Sequence, residues 1–216
     1  MSASGGRAVG REPDIGVAPG DLRTLQAFVN TLDIEQGTDA LASPADLDGW
    51  LRDAGVAGDP GELAGPRELA QAIELREALR DVLRSHVTRG LALGGRGQAA
   101  GTRPAGRDAA VASIAAARMA RAAGAMRAEI DVDPDGRVVV VPVGAGTRAA
   151  LTRLLLIAAD AATGGTWTRL KVCSADDCQW AFYDRSPTHS GCWCSMQICG
   201  SRAKSRAYRS RTARTG

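Results

Sequence analysis

Apolar side chains recur every three to four positions through most of the first 165 residues, a spacing that gathers them on one face of a helix. Asp21 is a candidate N-cap for the first helix. The pair Ser43-Pro44 suits the start of the second, because a serine oxygen accepts a free N–H group and proline fits the first turn. The pattern predicts five helices, with approximate bounds 21–37, 43–55, 66–88, 108–126 and 147–162.

Two short runs, EIDVD and RVVVV, flank Pro134-Asp135-Gly136 and are typical of two strands joined by a tight turn. They predict a β-hairpin over Glu129–Pro142. Residues 90–107 are rich in Gly and contain a Pro, which predicts a flexible loop. The sequence therefore predicts an α+β protein whose N-terminal domain is mainly helical and carries one hairpin.

Charge and composition change near residue 165. Residues 169–216 hold nine Lys and Arg against three Asp, a net charge of +6, whereas the first 168 residues carry −3. All five cysteines and five of the eight aromatic residues also lie in these last 48 positions. We expect a flexible N-terminus (1–20), a helical domain (21–165) and a separate small module (169–216). Because Arg outnumbers Lys 25 to 2, which indicates a coding bias, no single Arg is interpreted as selected for its chemistry.

The chain shows neither a secretion signal nor a membrane span. Its first twenty residues lack an apolar run. The longest apolar run, Leu154–Ala162, contains Asp160 and is far shorter than the ~20 residues that cross a bilayer. We therefore expect a cytoplasmic protein that does not contact a membrane, and in that compartment clustered thiols hold a metal more often than they form disulfides.

Four cysteines form two equally spaced pairs that are separated by fifteen residues: Cys173-x4-Cys178 and Cys194-x4-Cys199. Two such pairs can surround a tetrahedral ion, and Zn²⁺ suits a closed set of four thiolates, although iron is an alternative. We predict one Zn²⁺ per chain on these four sulfurs. Cys192 is interpreted as a free thiol and His189 as a loop imidazole, but either could replace one of the four ligands.

The C-terminal segment resembles a known family over about 45 residues. The run WCSM, the tetrapeptide Cys199-Gly200-Ser201-Arg202 and the spaced basic tail resemble the CGNR zinc finger, which implies a treble-clef-like fold. Two positions depart from that family's pattern. Ser201 stands where the family has Asn, and Cys192 stands where a basic residue is usual.

The upstream region is similar to the ABATE domain that precedes CGNR fingers. Phe28–Asp33 and the helical run Leu75–Arg80 carry this resemblance, together with their distance from the finger. It implies a bacterial transcription regulator that responds to stress and binds double-stranded DNA through its C-terminus.

A helix from Ser195 to about Thr212 would arrange the basic tail around a polar strip. Met196, Cys199, Ala203 and Ala207 would share the face toward the zinc core. Opposite them, hydroxyl side chains would lie between two rows of basic side chains, and such a helix could enter a major groove with these rows toward the phosphates. The predicted DNA-contacting residues are Arg202, Lys204, Ser205, Arg206, Tyr208, Arg209 and Arg211. The alternative is a basic tail that binds any polyanion.

The aromatic residues of the module could stack on single-stranded nucleic acid, but we expect them to form its core. A small metal module has few aliphatic residues to bury, and Trp180 and Phe182 alternate as on one face of a strand. The four residues in question are Trp180, Phe182, Tyr183 and Trp193.

Catalysis is not expected, because His86 and His189 are the only histidines and no nucleophile-base set has a recognisable spacing. Two non-catalytic functions besides DNA binding stay open. Oxidation of Cys192 or of a ligand could release the metal and make the module a redox sensor. The finger could instead be an adaptor that binds protein or RNA, with a partner or a small effector on the N-terminal domain.

Overall fold

The structure, a computed structural model, describes residues 16–57, 63–93 and 105–215. These ranges contain six α-helices and three two-stranded antiparallel sheets. The helices are α1 (Leu22–Val29), α2 (Pro44–Asp53), α3 (Pro66–Leu93), α4 (Ala105–Ala123), α5 (Gly146–Thr163) and α6 (Ser201–Thr215). The sheets pair β1 (Leu32–Asp33) with β2 (Thr38–Asp39), β3 (Ala128–Val132) with β4 (Val138–Pro142), and β5 (Leu170–Val172) with β6 (Ala181–Tyr183). The predicted α+β class is confirmed.

The first helix is shorter than its apolar pattern predicts. α1 ends at Val29, and Leu32 lies in β1, because the chain leaves the helix at Asn30 and doubles back into β2. Gly37, which was expected to end a helix, has a φ of 66° in the turn between the two strands. The prediction of one helix over 21–37 is therefore wrong in its second half, where a short hairpin forms.

The two predicted helix caps differ in outcome. Asp21 precedes α1 with helical backbone angles, and its side chain caps no N–H group, so that prediction is wrong. Ser43 caps α2 as predicted, since its Oγ accepts a hydrogen bond from the backbone N of Asp46 at 3.2 Å, with Pro44 in the first turn. An extended backbone at Ser43 allows this contact and helical angles at Asp21 do not.

The main core lies between α1, α2, α3 and α5. Each helix contributes the apolar stripe that its spacing predicts, and burial of each such side chain is worth about 2 kcal/mol. The large side chains that are less than 2% exposed include Leu25, Phe28, Leu47, Leu75, Leu79, Leu83, Leu151 and Leu154. The ring of Trp50 packs on Phe28 at 5.3 Å between centroids.

Both ends of the glycine-rich segment 90–107, which was predicted to be a loop, are helical. α3 continues to residue 93 and α4 begins at residue 105, while residues 94–104 of the predicted loop lie outside the described residues. α4 packs along α3 and is tied to it by two ion pairs, Arg118 with Asp81 and Arg121 with Glu74. Within the described ranges, no helix combines the length and the apolar character needed to cross a bilayer.

The predicted hairpin 129–142 is confirmed with nearly the same bounds. Ile130 pairs with Val140, and Gly136 takes a φ of 79° in the turn, a conformation that glycine adopts without a steric penalty. The hairpin rests on α5 through the face of β4 that carries Val139 and Val141, which are half-buried.

The strands of the cysteine-rich segment are part of the main core. Leu170 and Val172 of β5 and Ala181 and Tyr183 of β6 are at most 9% exposed and belong to the same apolar cluster as α1, α3 and α5. The segment expected to be a separate module therefore shares its hydrophobic core with the helical domain.

The described part of the predicted flexible N-terminus is packed against this sheet. The backbone O of Gly16 accepts a hydrogen bond from Tyr183 N at 2.7 Å, and Ala18 is 4% exposed. A Cβ atom at residue 16 would lie 2.0 Å from the carbonyl oxygen of Tyr183, so only glycine fits there. Residues 16 and 18 thus contact the rest of the protein, while residues 1–15 lie outside the described residues.

Candidate metal centre and basic helix

The four paired cysteines converge on one point behind the β5–β6 sheet. Their Sγ atoms all lie within 4.8 Å of one another, and all four side chains are buried. The Sγ atoms of Cys178 and Cys194 are 3.6 Å apart, and those of Cys194 and Cys199 are 3.7 Å apart. Separations of this size suit the corners of a tetrahedron around one ion with metal–sulfur bonds of about 2.3 Å. The donor set therefore fits a closed metal site.

The electrostatics of the cluster favour a cation at its centre. Hydrogen bonds from the thiols of Cys173 and Cys194 lower the pKa of Cys178 to about 2. Burial and the nearby charge of Cys173 raise the pKa of Cys199 to about 12, and hydrogen bonding with Cys173 and Cys178 raises the pKa of Cys194. Four thiolates this close repel one another, so all four can be charged together only around a positive ion.

A buried ion pair positions the chain between the two ligand pairs. Lys171 is fully buried two residues before Cys173, and its Nζ donates to Asp184 Oδ2 at 2.7 Å and to the backbone O of His189 at 2.5 Å. Asp184 in turn accepts from Gly191 N at 2.8 Å. These bonds fix the loop 184–191, which leads the chain back toward Cys194.

Arginines of α3 hold the first metal loop from the other side. Arg80, 2% exposed, donates to the backbone O of Gln179 at 2.9 Å and to the backbone O of Val29 at 2.7 Å. Arg84 donates to the side-chain oxygen of Gln179. Gln179 follows Cys178 directly and has a φ of 51°, a strained value for a residue with a side chain, so these bonds stabilise a conformation that the loop requires.

Cys199 connects the cluster to the basic helix. Ser195 accepts a hydrogen bond from Ile198 N at 3.3 Å and starts a single π-helical turn, Met196–Gly200, which runs directly into α6. A Cβ atom at Gly200 would lie 2.9 Å from Met196 Sδ, so this turn is closely packed at that point. The fourth sulfur thus sits at the base of a helix that extends away from the core.

The predicted orientation of this helix is partly wrong. Cys199 is buried and Ala203 is half-buried, but Met196 is 54% exposed and Ala207 is exposed. The π turn contains about one extra residue compared with an α-turn and so changes the helical phase assumed from the sequence. Beyond residue 203, no face of α6 is buried in the described chain up to residue 213.

The predicted DNA-contacting residues all lie on α6 and are exposed. Five residues of α6 and two residues of the π turn line one open surface depression of about 540 Å³. We call it the α6 groove; it is lined by Gln197, Ile198, Ser201, Arg202, Ser205, Arg206 and Arg209. Lys204, Tyr208 and Arg211 do not line it. Gln197 and Ile198, which also line the α6 groove, precede Arg202, the first residue predicted to contact DNA.

Two family models match this chain. Residues 22–165 match the ABATE family, which carries the description "putative stress-induced transcription regulator", and this segment is more than half of the chain. The chain belongs to the ABATE family. Residues 169–212 of this ABATE protein match the CGNR zinc finger, and all four converging cysteines lie in that segment. A search among curated proteins found no match.

The ABATE protein keeps its fifth cysteine and its loop histidine outside the cluster. Cys192 is half-buried, its backbone O accepts from Ser174 N at 2.9 Å, and burial raises the pKa of its thiol. His189 lies in the loop with a φ of 51° and presents its backbone oxygen to Lys171. Among the described residues, the set of side chains positioned for a metal contains neither of them.

The aromatic residues of the finger pack, as predicted. Phe182 is 4% exposed and, with the half-buried Trp180 and Trp193, surrounds the cysteine cluster, while Tyr183 faces the main core. Neighbouring residues of β6 face opposite sides of the sheet, so Phe182 meets the cysteine cluster and Tyr183 meets the main core.

His86 of the ABATE protein packs where α3 meets the start of the finger. It is buried, its Nδ1 lies 2.8 Å from the backbone O of Leu170, and its ring meets the edge of Trp167.

Proposed function

We propose that this ABATE protein is a DNA-binding transcription regulator whose finger is folded by one Zn²⁺ held by Cys173, Cys178, Cys194 and Cys199. One observation carries the proposal: a 15-residue helix with no acidic residue begins two positions after the last cysteine and extends into solvent. A helix that is polar nearly all round has no apolar face to bury, so packing within the chain does not explain it. A positively charged helix selects a polyanion as that partner.

The α6 groove supports one binding mode for this polyanion. Arg202, Arg206 and Arg209 are spaced at helical intervals along it, so their guanidinium groups can follow a phosphate backbone. At the base of the groove, Gln197 and Ile198 are exposed beside the anchored π turn. An amide can pair with the edge of adenine and an alkyl group can contact the methyl group of thymine, so these two residues are suited to read bases.

Acidic residues of the protein occupy part of this basic surface. Glu35 lies in the β1–β2 turn, and its Oε1 accepts a hydrogen bond from Arg202 Nη1 at 2.8 Å. Arg206 Nη1 lies 3.7 Å from Asp177 Oδ2. Both pairs lie at the surface and are weak, because solvent and salt screen them. A phosphate group can therefore displace either carboxylate at small cost.

Selection of bound sequences from a random duplex pool, with the full-length zinc-loaded protein, tests the proposal. We expect enrichment of a motif that contains A·T pairs. Arg206→Ala should weaken binding to all duplexes by a similar factor and reduce the salt slope by ~1, whereas Gln197→Ala should change the preferred sequence. Arg23→Ala, which removes an exposed charge of the N-terminal domain, is the matched control and should change neither.

Two results would contradict the proposal. Absence of duplex binding at low salt would favour an adaptor that binds protein or RNA. Binding without enrichment, equal for DNA and heparin, would leave only a general affinity for polyanions. Catalysis is no part of the proposal, because a closed set of four thiolates leaves no position on zinc for a reacting water.

A further inference from the structure

Among the described residues, nothing covers one of the two faces of the hairpin β3–β4. Side chains of paired residues point to the same side of a two-stranded sheet, so the pairs Ile130–Val140 and Val132–Val138 share one face. All four are exposed, by 76% for Ile130, 54% for Val140, 60% for Val132 and 73% for Val138. Ala128 and Pro142 extend the same face. We call these six residues the hairpin face.

The hairpin face differs from its reverse side in both charge and contact. The reverse side carries Glu129 and Asp131 on β3, and Val139 and Val141 there are half-buried toward α5. The hairpin face has no charged group and no hydrogen-bonding side chain. Its occupant must therefore be apolar, and no carboxylate would be desolvated when that occupant binds.

We propose that the hairpin face is the contact between two copies of this chain in solution. Flat faces of β-branched residues pack on each other about 10 Å apart, and a two-fold axis brings the same patch from both chains together. The four side chains expose on the order of 400 Å² per copy, about half of the ~800 Å² that each partner buries in a stable interface. Ala128, Pro142 and the polar rim of the hairpin supply further area.

The hairpin needs a covering layer on the side that α5 does not reach, and a second copy of this chain can supply that layer. A two-stranded hairpin is marginally stable in water unless it packs against another element or gains strands. α5 covers one side only, and a second hairpin face supplies the missing layer with the same apolar chemistry. This inference does not depend on DNA binding, since it concerns a different part of the chain.

Sedimentation equilibrium of the full-length, zinc-loaded protein tests the interface. The wild type is expected to reach twice its chain mass of 22.4 kDa as the concentration rises. Ile130→Lys should be a monomer over the same range, with Kd raised more than about tenfold, because a buried ammonium has no partner in the contact. Its side chain is exposed within one chain, so circular dichroism and zinc content should stay unchanged.

A matched substitution distinguishes an effect that is specific to the hairpin face from the effect of removing any exposed apolar side chain. Ile114 on α4 is 61% exposed, and Ile114→Lys should sediment as the wild type does. A dimer that persists in both Ile130→Lys and Val138→Lys would overturn the proposal. A wild type that is monomeric at every concentration would overturn it as well.

Discussion

Individual polar residues, several of them buried, determine how the metal site is held. Lys171 and Asp184 form an ion pair that is less than 5% exposed, and it anchors four backbone groups of the loop that follows β6. No pattern in the sequence distinguishes this lysine from a surface residue. The pairing of Lys171 with Asp184 depends on the register of β5 against β6. Leu170 lies opposite Tyr183 in this register, so Lys171 comes close to the start of the loop.

Acid stability should depend on Asp184. Burial acts to raise its pKa, but hydrogen bonds from Lys171 and Ser186 outweigh burial and lower the pKa to about 2. A folded-state pKa below the unfolded value of ~3.9 stabilises the protein above pH 4, and this contribution is lost as the pH falls toward 2. Asp184→Asn should therefore cost at least about 2 kcal/mol at neutral pH and should weaken the dependence of stability on pH between 4 and 2.

Denaturant unfolding across that pH range measures the effect. Asp135→Asn is the matched control, because Asp135 is exposed in the hairpin turn, and its substitution should leave the free energy of unfolding nearly unchanged. An Asp184→Asn variant with the acid dependence of the wild type would contradict the assigned role.

Among the helices and strands, α3 serves both as core and as support for the metal loop. Its leucines bury toward α1 and α5, as their spacing predicts. Its arginines Arg76 and Arg80 are also buried, which the same spacing does not predict, since arginine is ordinarily a surface residue. Arg76 pairs with Asp39 of β2, and Arg80 reaches Gln179, so α3 connects the β1–β2 hairpin with the finger.

Arg80→Lys should destabilise the protein and weaken its hold on zinc. Arg80 reaches the carbonyls of Gln179 and Val29 with two separate nitrogens, Nη1 and Nη2, and the single nitrogen of a lysine cannot occupy both positions. A buried acceptor should therefore lose its partner at a cost of about 2 kcal/mol. Chelator competition and denaturant unfolding measure the two effects. Arg121→Lys, in an exposed pair with Glu74, should change stability by less than about 0.5 kcal/mol. Equal stability of the two variants would contradict the role of Arg80.

At the scale of the whole molecule, the finger and the helical domain share one hydrophobic core among the described residues. β5 and β6 place one side against the main core and the other against the cysteine cluster. Gln26 and Asn30 of the helical domain also donate to the backbone O of Ala181. Loss of the metal should therefore reach the N-terminal core and not stop at the finger.

Cys199→Ser and Cys192→Ser test this coupling as a matched pair. Cys199→Ser should lose its zinc and lower the melting temperature of the whole chain in a single transition, by more than about 10 °C if several kcal/mol are lost. Cys192→Ser should keep about one zinc per chain and melt as the wild type does. Calorimetry and metal analysis decide both points. A Cys192→Ser variant without zinc would refute the four-cysteine assignment, and an unchanged core transition in Cys199→Ser would refute the coupling.

Features that depend on local spacing could be predicted from the amino-acid order alone. Helical periodicity predicted the core stripes, alternation around Pro134-Asp135-Gly136 predicted the hairpin, and the two x4 pairs selected the cysteines that converge. These features follow from geometry within a few turns or one loop, so neighbouring residues are enough to indicate them.

How these parts combine is visible only in the folded chain. The sharing of one core by finger and helices, the burial of Lys171 and Arg80, and the changed phase of α6 after its π turn all depend on residues distant in the chain. A composition boundary near residue 165 suggested two separate modules, because charge and cysteine content are surface and site properties. The apolar side of β5 and β6 joins those modules, and its partners in α1 and α3 lie about a hundred or more residues earlier, beyond the reach of any local pattern.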